Sequence, residues 1–169
     1  MRPIEIDVGS YPIYISVVDD GNPALGLSRS FQLTVTAGTV PGATAFYTLA
    51  PCRVFDTRNT TGPDWASPAL APGETRLFTV GGRCSLPSSA RSLSVNQTVT
   101  GQTASGELVL YRGDLSATPT ASSIRFQAGK TRANNGILDL ARDGSGTFKV
   151  FNNSTGSVHF ILDVNGYFQ

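Results

Sequence analysis

The sequence predicts an all-β protein: a β-sandwich of jelly-roll-like or immunoglobulin-like type, preceded by a β-hairpin. Three observations carry that prediction. Short runs of alternating apolar and polar residues recur along the chain, the period of a strand with one buried face. Turn-forming groups separate them, among them Arg112-Gly-Asp114, Ala128-Gly-Lys130, Asp143-Gly-Ser-Gly146 and Asn152-Asn-Ser-Thr-Gly156. No window beyond about eight residues holds a 3.6-residue period, and Gly or Pro interrupts every candidate helix.

Residues 4–36 read as a short strand followed by a hairpin with arms 11–18 and 29–36. Tyr11, Ile13, Ile15 and Val17 alternate with smaller or polar residues, and Phe31, Leu33 and Val35 do the same. Each arm therefore has one apolar face, and two strands alone cannot keep such a face dry. Its cover is expected from the rest of the chain, from neighbouring domains of the same polypeptide or from another subunit. Asp19-Asp-Gly-Asn-Pro23 begins the connection. Its clustered oxygens fall short of the six or more that calcium needs, so it reads as a plain turn. Small residues with Gly and Pro follow and read as a linker. The chain thus divides into a hairpin segment at 1–37, a linker at 38–44 and a sandwich at 45–169.

Within the sandwich, strands are predicted at 45–49, 52–55, 74–80, 92–100, 106–112, 122–126, 135–140, 147–152 and 157–164. In the fourth, Leu93, Val95 and Val99 point one way while Ser94, Asn96, Thr98 and Thr100 point the other. The segment 58–68 is rich in Pro, Gly and Asn and reads as a surface loop.

Composition narrows the function. The net charge is +1, charged residues make up 15%, and the 13 Lys and Arg are scattered. No basic stripe for nucleic acid or anionic membrane results. No run of about 18 apolar residues is present to cross a membrane as a helix. Abundant Thr, Ser, Gly and Asn with scarce Glu and Lys is the profile of a secreted β protein. Residues 1–7 hold no apolar core of a signal peptide, so an exported protein is expected here in trimmed form. Cys52 and Cys84 lie 32 positions apart with no CxxC motif and one His in the chain, too few ligands for zinc. A disulfide is expected, which would stabilise by about 3.7 kcal/mol in the chain-entropy model; two separate buried thiols are the alternative.

Candidates for chemistry are few. His159 lies in a predicted strand with Ile161 and Asp163 on its face, and a spacing of about 13 Å keeps His159 from Asp163. No nucleophile elbow or phosphate loop accompanies it, so no enzyme activity, metal or cofactor is expected. The best polar constellation joins Asp56, Thr57 and Arg58 with Arg132, Asn134, Asn135, Asp163 and Asn165. Arg pairs bidentately with carboxylate, and Asn hydrogen-bonds backbone at turns. The group reads as a fastening of loop ends to a sheet, or as a sugar site with Trp65 or Tyr111 as aromatic platform.

Two resemblances follow from these residues. The segment from Asp7 through Val17-Val-Asp-Asp-Gly-Asn-Pro23 to Phe31-Gln-Leu-Thr-Val-Thr36 resembles the closing strands of bacterial cadherin-like or immunoglobulin-like repeats. The remainder is similar to a β-rich module near the C-terminal end of secreted bacterial multidomain proteins. The matching segments are Pro51-Cys-Arg-Val-Phe-Asp-Thr-Arg58, Ser94-Val-Asn-Gln-Thr-Val99, Thr131-Arg-Ala-Asn-Asn135 and Leu162-Asp-Val-Asn-Gly-Tyr-Phe168. The resemblance implies an exported, non-enzymatic, surface-associated protein. The expected function is a structural or adhesive extracellular module, a filament subunit assembled by β-strand complementation through the hairpin. The alternative is a carbohydrate-binding module that takes cell-surface glycans.

Overall fold

The computed structural model describes residues 9–18, 20–21, 25–35 and 45–169. It divides into two units, residues 1–43 and 44–169. The short strand expected before residue 9, most of the 19–24 connection with its calcium-like oxygens, and the 38–44 linker lie outside the described residues.

In the first unit, β1 (Gly9–Val18) and β2 (Gly26–Val35) form an antiparallel hairpin. The register sets Tyr11 opposite Leu33, Ile13 opposite Phe31, Ile15 opposite Arg29 and Val17 opposite Leu27. Because side chains alternate across a strand, these share one face. The other face is mixed: exposed Tyr14 and Val18 stand among serines, where Ser10 Oγ donates to Gln32 Oε1 (3.0 Å) and Ser28 Oγ to Ser16 Oγ (3.0 Å). On the apolar face Ile15, Val17, Phe31 and Leu33 are exposed and Ile13 is half-buried. Val35 pairs with Gly9 through its backbone, and its side chain is not among those described.

The second unit is a jelly roll of eight strands: β3 (Phe46–Asp56), β4 (Thr75–Thr79), β5 (Ser92–Thr100), β6 (Gly106–Arg112), β7 (Ile124–Phe126), β8 (Arg132–Asp139), β9 (Thr147–Ser154) and β10 (His159–Phe168). One sheet has the order β3-β10-β5-β8 and the other β4-β9-β6-β7. The first strand pairs with the last, the second with the seventh, the third with the sixth and the two middle ones with each other, all antiparallel. Nested pairing of this kind is a long hairpin rolled over itself, which decides between the two sandwich types the sequence allows. It also brings the ends of the unit together: Ala45 and Gln169 exchange backbone hydrogen bonds of 2.8 and 3.1 Å.

Strand bounds shift from the sequence reading by one to three residues at most ends, β9 among them, which runs on to Ser154 inside the segment expected as a turn. They differ most at three places. The two predicted strands at 45–49 and 52–55 are one, because Pro51 sits on an edge strand at an irregularity, where a missing N–H costs no ladder bond. Strand β8 starts at Arg132 rather than at residue 135, since pairing with β5 overrides the turn-like composition of Arg132-Ala-Asn134. Strand β10 runs beyond the predicted end at 164 to Phe168, with Asn165 as the unmatched residue of a bulge.

The core lies between the two sheets. Phe78 packs on Phe55 (4.9 Å between centroids), Phe148 (5.2 Å) and Phe160 (5.7 Å), surrounded by Val54, Leu70, Leu93, Val99, Leu108, Val150, Leu162 and Val164. Each such side chain contributes about 1.5–3 kcal/mol on full burial. Val158, Phe160, Leu162 and Val164 are all buried, as their alternation predicts. Cys52 and Cys84 form a disulfide with Cα atoms 5.9 Å apart, tying edge strand β3 to the loop after β4. Beside it Arg83 donates to the Val54 carbonyl (3.2 Å) and to that of Pro63, and covers the Phe55 ring at 4.5 Å.

Candidate functional site

Alternation in β5 sends Leu93, Val95, Gln97 and Val99 into the core and Ser94, Asn96, Thr98 and Thr100 to the outer face of the β3-β10-β5-β8 sheet. Cross-strand register then defines what stands beside each outward residue. Arg53 of β3 is opposite Asp163 of β10, Asp163 is opposite Asn96 of β5, and Asn96 is opposite Asn135 of β8. These four residues form one polar row across the whole sheet. Each comes from a different one of the four signature segments quoted above.

The row is anchored at its β3 end. Arg53 grips Asp163 with two parallel bonds, Nε to Oδ1 at 2.8 Å and Nη2 to Oδ2 at 3.3 Å, and reaches Asp56 Oδ2 with Nη1 at 3.3 Å. Hydrogen bonding to Asp163 raises the Arg53 pKa, against the opposing effect of desolvation. Asp56 is buried and accepts from the Arg58 backbone N–H (3.0 Å), Arg58 Nε (2.9 Å) and Arg58 Nη2 (2.6 Å) as well. Hydrogen bonding to the Arg58 side chain holds the Asp56 carboxyl below its ordinary value; desolvation works the other way. The next residue, Thr57, is buried and fastens the loop to β10: its Oγ1 accepts the Phe160 N–H (2.8 Å), and it shares a 3.1 Å hydrogen bond with His159 Nδ1.

Beside the row the sheet opens. Val164 of β10 faces Cys52 and Gly166 faces Thr48, so Asn165 alone stands against Leu49, Ala50 and Pro51. The same residue is unmatched on the β5 side. Strand β3 bows away and leaves a depression of about 630 Å³ lined by Pro51, Arg53, Asp64, Asn96, Asp163 and Asn165. Gly166 follows Asn165 in β10, and an added Cβ there would come 2.4 Å from the Phe46 ring. Only a glycine lets that half-exposed ring lie down on the sheet, against Phe168 at 4.9 Å.

The predicted constellation is thus partly assembled. Asp56, Arg58, Asp163, Asn135 and Asn165 belong to this face or its edge. Arg132 and Asn134 alternate onto the opposite side of β8, and Asn134 Nδ2 donates to the Ser123 carbonyl (2.9 Å). The Trp65 ring lines a separate cavity of about 270 Å³ with Phe55, Arg76, Leu77 and Arg83, its Nε1 donating to Ser67 Oγ (2.9 Å). Tyr111 is buried, with its hydroxyl 3.1 Å from Thr118 Oγ1. Arg53, Asn96, Asp64 and Phe46 are the members that the sequence reading did not select. Two of them, Arg53 and Asn96, stand inside segments singled out for resemblance. Among the described residues no cluster of three His, Cys, Asp or Glu is placed to hold a metal.

No protein-family model matches the chain, and neither does any curated protein sequence. Among solved structures, the Tobacco streak virus coat protein (C2 crystal form) is similar at a TM-score of 0.36 and 12% identity, over 75% of this chain and 89% of that one. The coat protein dimer of the same virus is similar at a TM-score of 0.37 and 10% identity, over 76% and 90%. Neither likeness bears on function.

Proposed function

We propose that this is a non-catalytic, extracellular structural module of bacterial origin whose hairpin mediates assembly by adding strands to a neighbouring copy. One observation carries the reading: the hairpin register gathers Tyr11, Ile13, Ile15, Val17, Phe31 and Leu33 onto a single face, with Phe31 and Leu33 about half exposed at 52% and 49%. An exposed face of that kind, apolar but for Arg29 opposite Ile15, marks a protein–protein contact. Strand addition supplies backbone hydrogen bonds together with alternating side-chain anchors. A head-to-tail contact that does not close yields a fibre, which is how a surface filament would grow. The disulfide supports an oxidising, extracellular setting.

The test is the size of the full chain in solution. Light scattering across a range of concentrations is expected to show self-association, abolished by Ile13→Thr with Phe31→Thr while the jelly roll melts unchanged. A wild-type chain that stays monomeric at every concentration would overturn the proposal and leave the hairpin face to neighbouring domains of the same polypeptide.

A further inference from the structure

We infer that the depression on the outer face of the β3-β10-β5-β8 sheet is a binding site for a neutral glycan, independent of the hairpin and of any self-association. Its volume of about 630 Å³ is in the range of small-ligand sites, about 300–1,000 Å³.

Charge selects the ligand class. The site and its rim hold Arg53 and Arg58 against Asp56, Asp64 and Asp163, and the arginines are spent on carboxylates: Arg53 on Asp163 and Asp56, Arg58 on Asp56. An anionic ligand would meet one excess negative charge and no free guanidinium. A cation would find Asp56 and Asp163 already paired with arginine, leaving Asp64 alone, which accepts from Asn59 Nδ2 at 2.8 Å. What remains on offer is uncharged hydrogen bonding. The side-chain amides of Asn96, Asn135 and Asn165 have no partner among the described residues. Each presents a donor and an acceptor, the pair that a vicinal diol satisfies. Asp163 keeps lone pairs on both oxygens after the Arg53 fork, and the fork holds it rigid.

Geometry supplies the rest of a sugar site. The half-exposed Phe46 ring lies over Gly166, next in sequence to Asn165 and roughly 10 Å along β10 from Asp163 at about 3.3 Å per residue. A pyranose has one face of C–H groups and a rim of hydroxyls. Seated here, it would lay its C–H face on Phe46 and turn its rim toward Asn165, Asn96 and Asp163. The aromatic platform is therefore Phe46, not Trp65 or Tyr111.

The experiment prints neutral hexose and N-acetylhexosamine oligosaccharides, with sulfated and sialylated ones beside them, and probes the array with the labelled full-length chain. Binding to at least one neutral series is expected, insensitive to added salt. Affinity for that oligosaccharide should fall tenfold or more in Asn96→Ala and in Phe46→Ala. The Asn96 change removes no hydrogen bond within the protein, so melting should be unaffected and lost binding cannot be ascribed to unfolding. A blank array, retention only on charged glycans, or affinity unchanged in both variants would overturn the inference.

Discussion

Arg53 and Asp163 meet side-on across 110 positions of sequence, two guanidinium N–H groups on two carboxylate oxygens at 2.8 and 3.3 Å. The pair fastens an edge strand to its neighbour just where the ladder between them is interrupted. Both side chains keep some solvent contact, 42% and 29%, so water screens the attraction. Arg53→Ala should therefore cost about 1 kcal/mol, more than an ordinary surface pair because the geometry is bidentate and Asp56 also loses a donor. Urea denaturation of the two proteins measures it.

Asp56 presents the opposite case, a carboxylate with 1% exposure held by four donors. Its folded pKa is lowered, so near that value the unfolded chain binds more protons and stability rises with pH. The contribution is complete above the unfolded value of about 3.9 and is lost as pH falls through the lower, folded one. Asp56→Asn should cost about 2–3 kcal/mol at neutral pH. Melting curves from pH 7 to acid should also show a flatter acid limb for the variant than for the wild type.

Gly166 carries Phe46 on its bare Cα. An alanine there would place Cβ 2.4 Å from one ring atom and 2.8 Å from the Tyr47 carbonyl oxygen, and backbone does not yield as a side chain does. Gly166→Ala should destabilise by about 1–3 kcal/mol. Affinity for the oligosaccharide should fall too, because the ring is lifted from the sheet. Calorimetric melting and the oligosaccharide titration read the two effects separately.

Removing the cross-link with Cys52→Ser and Cys84→Ser together should lower stability by about 3–4 kcal/mol through the loop it releases. The same loss should appear when the wild-type protein melts in reductant, and the variant should be indifferent to reductant.

Alternation made the individual strands readable, because each has one face in the core. The extents of β5 and β6 coincide with the runs at 92–100 and 106–112. Pairing between remote strands was not legible, since nothing local says that residue 53 meets residue 163. The bulge at Asn165 hides the matter further, for one unmatched residue shifts every later side chain to the other face. Asn134 and Asn135 show the consequence. They are neighbours of the same type, yet one bonds the Ser123 carbonyl and the other joins the polar row. In the sequence, chemistry alone joins Trp65 to Asp56. The backbones do bridge, but its ring lines a different cavity.

The hydrogen bonds between Ala45 and Gln169 have an architectural corollary. A polypeptide that leaves a unit where it entered it can be grafted into a surface loop of another fold without prising that loop apart. Equally, its two ends can be joined and new ones cut at an exposed turn such as 143–146. The jelly roll therefore has the geometry of an insertable cassette that holds its whole outer sheet within one unit.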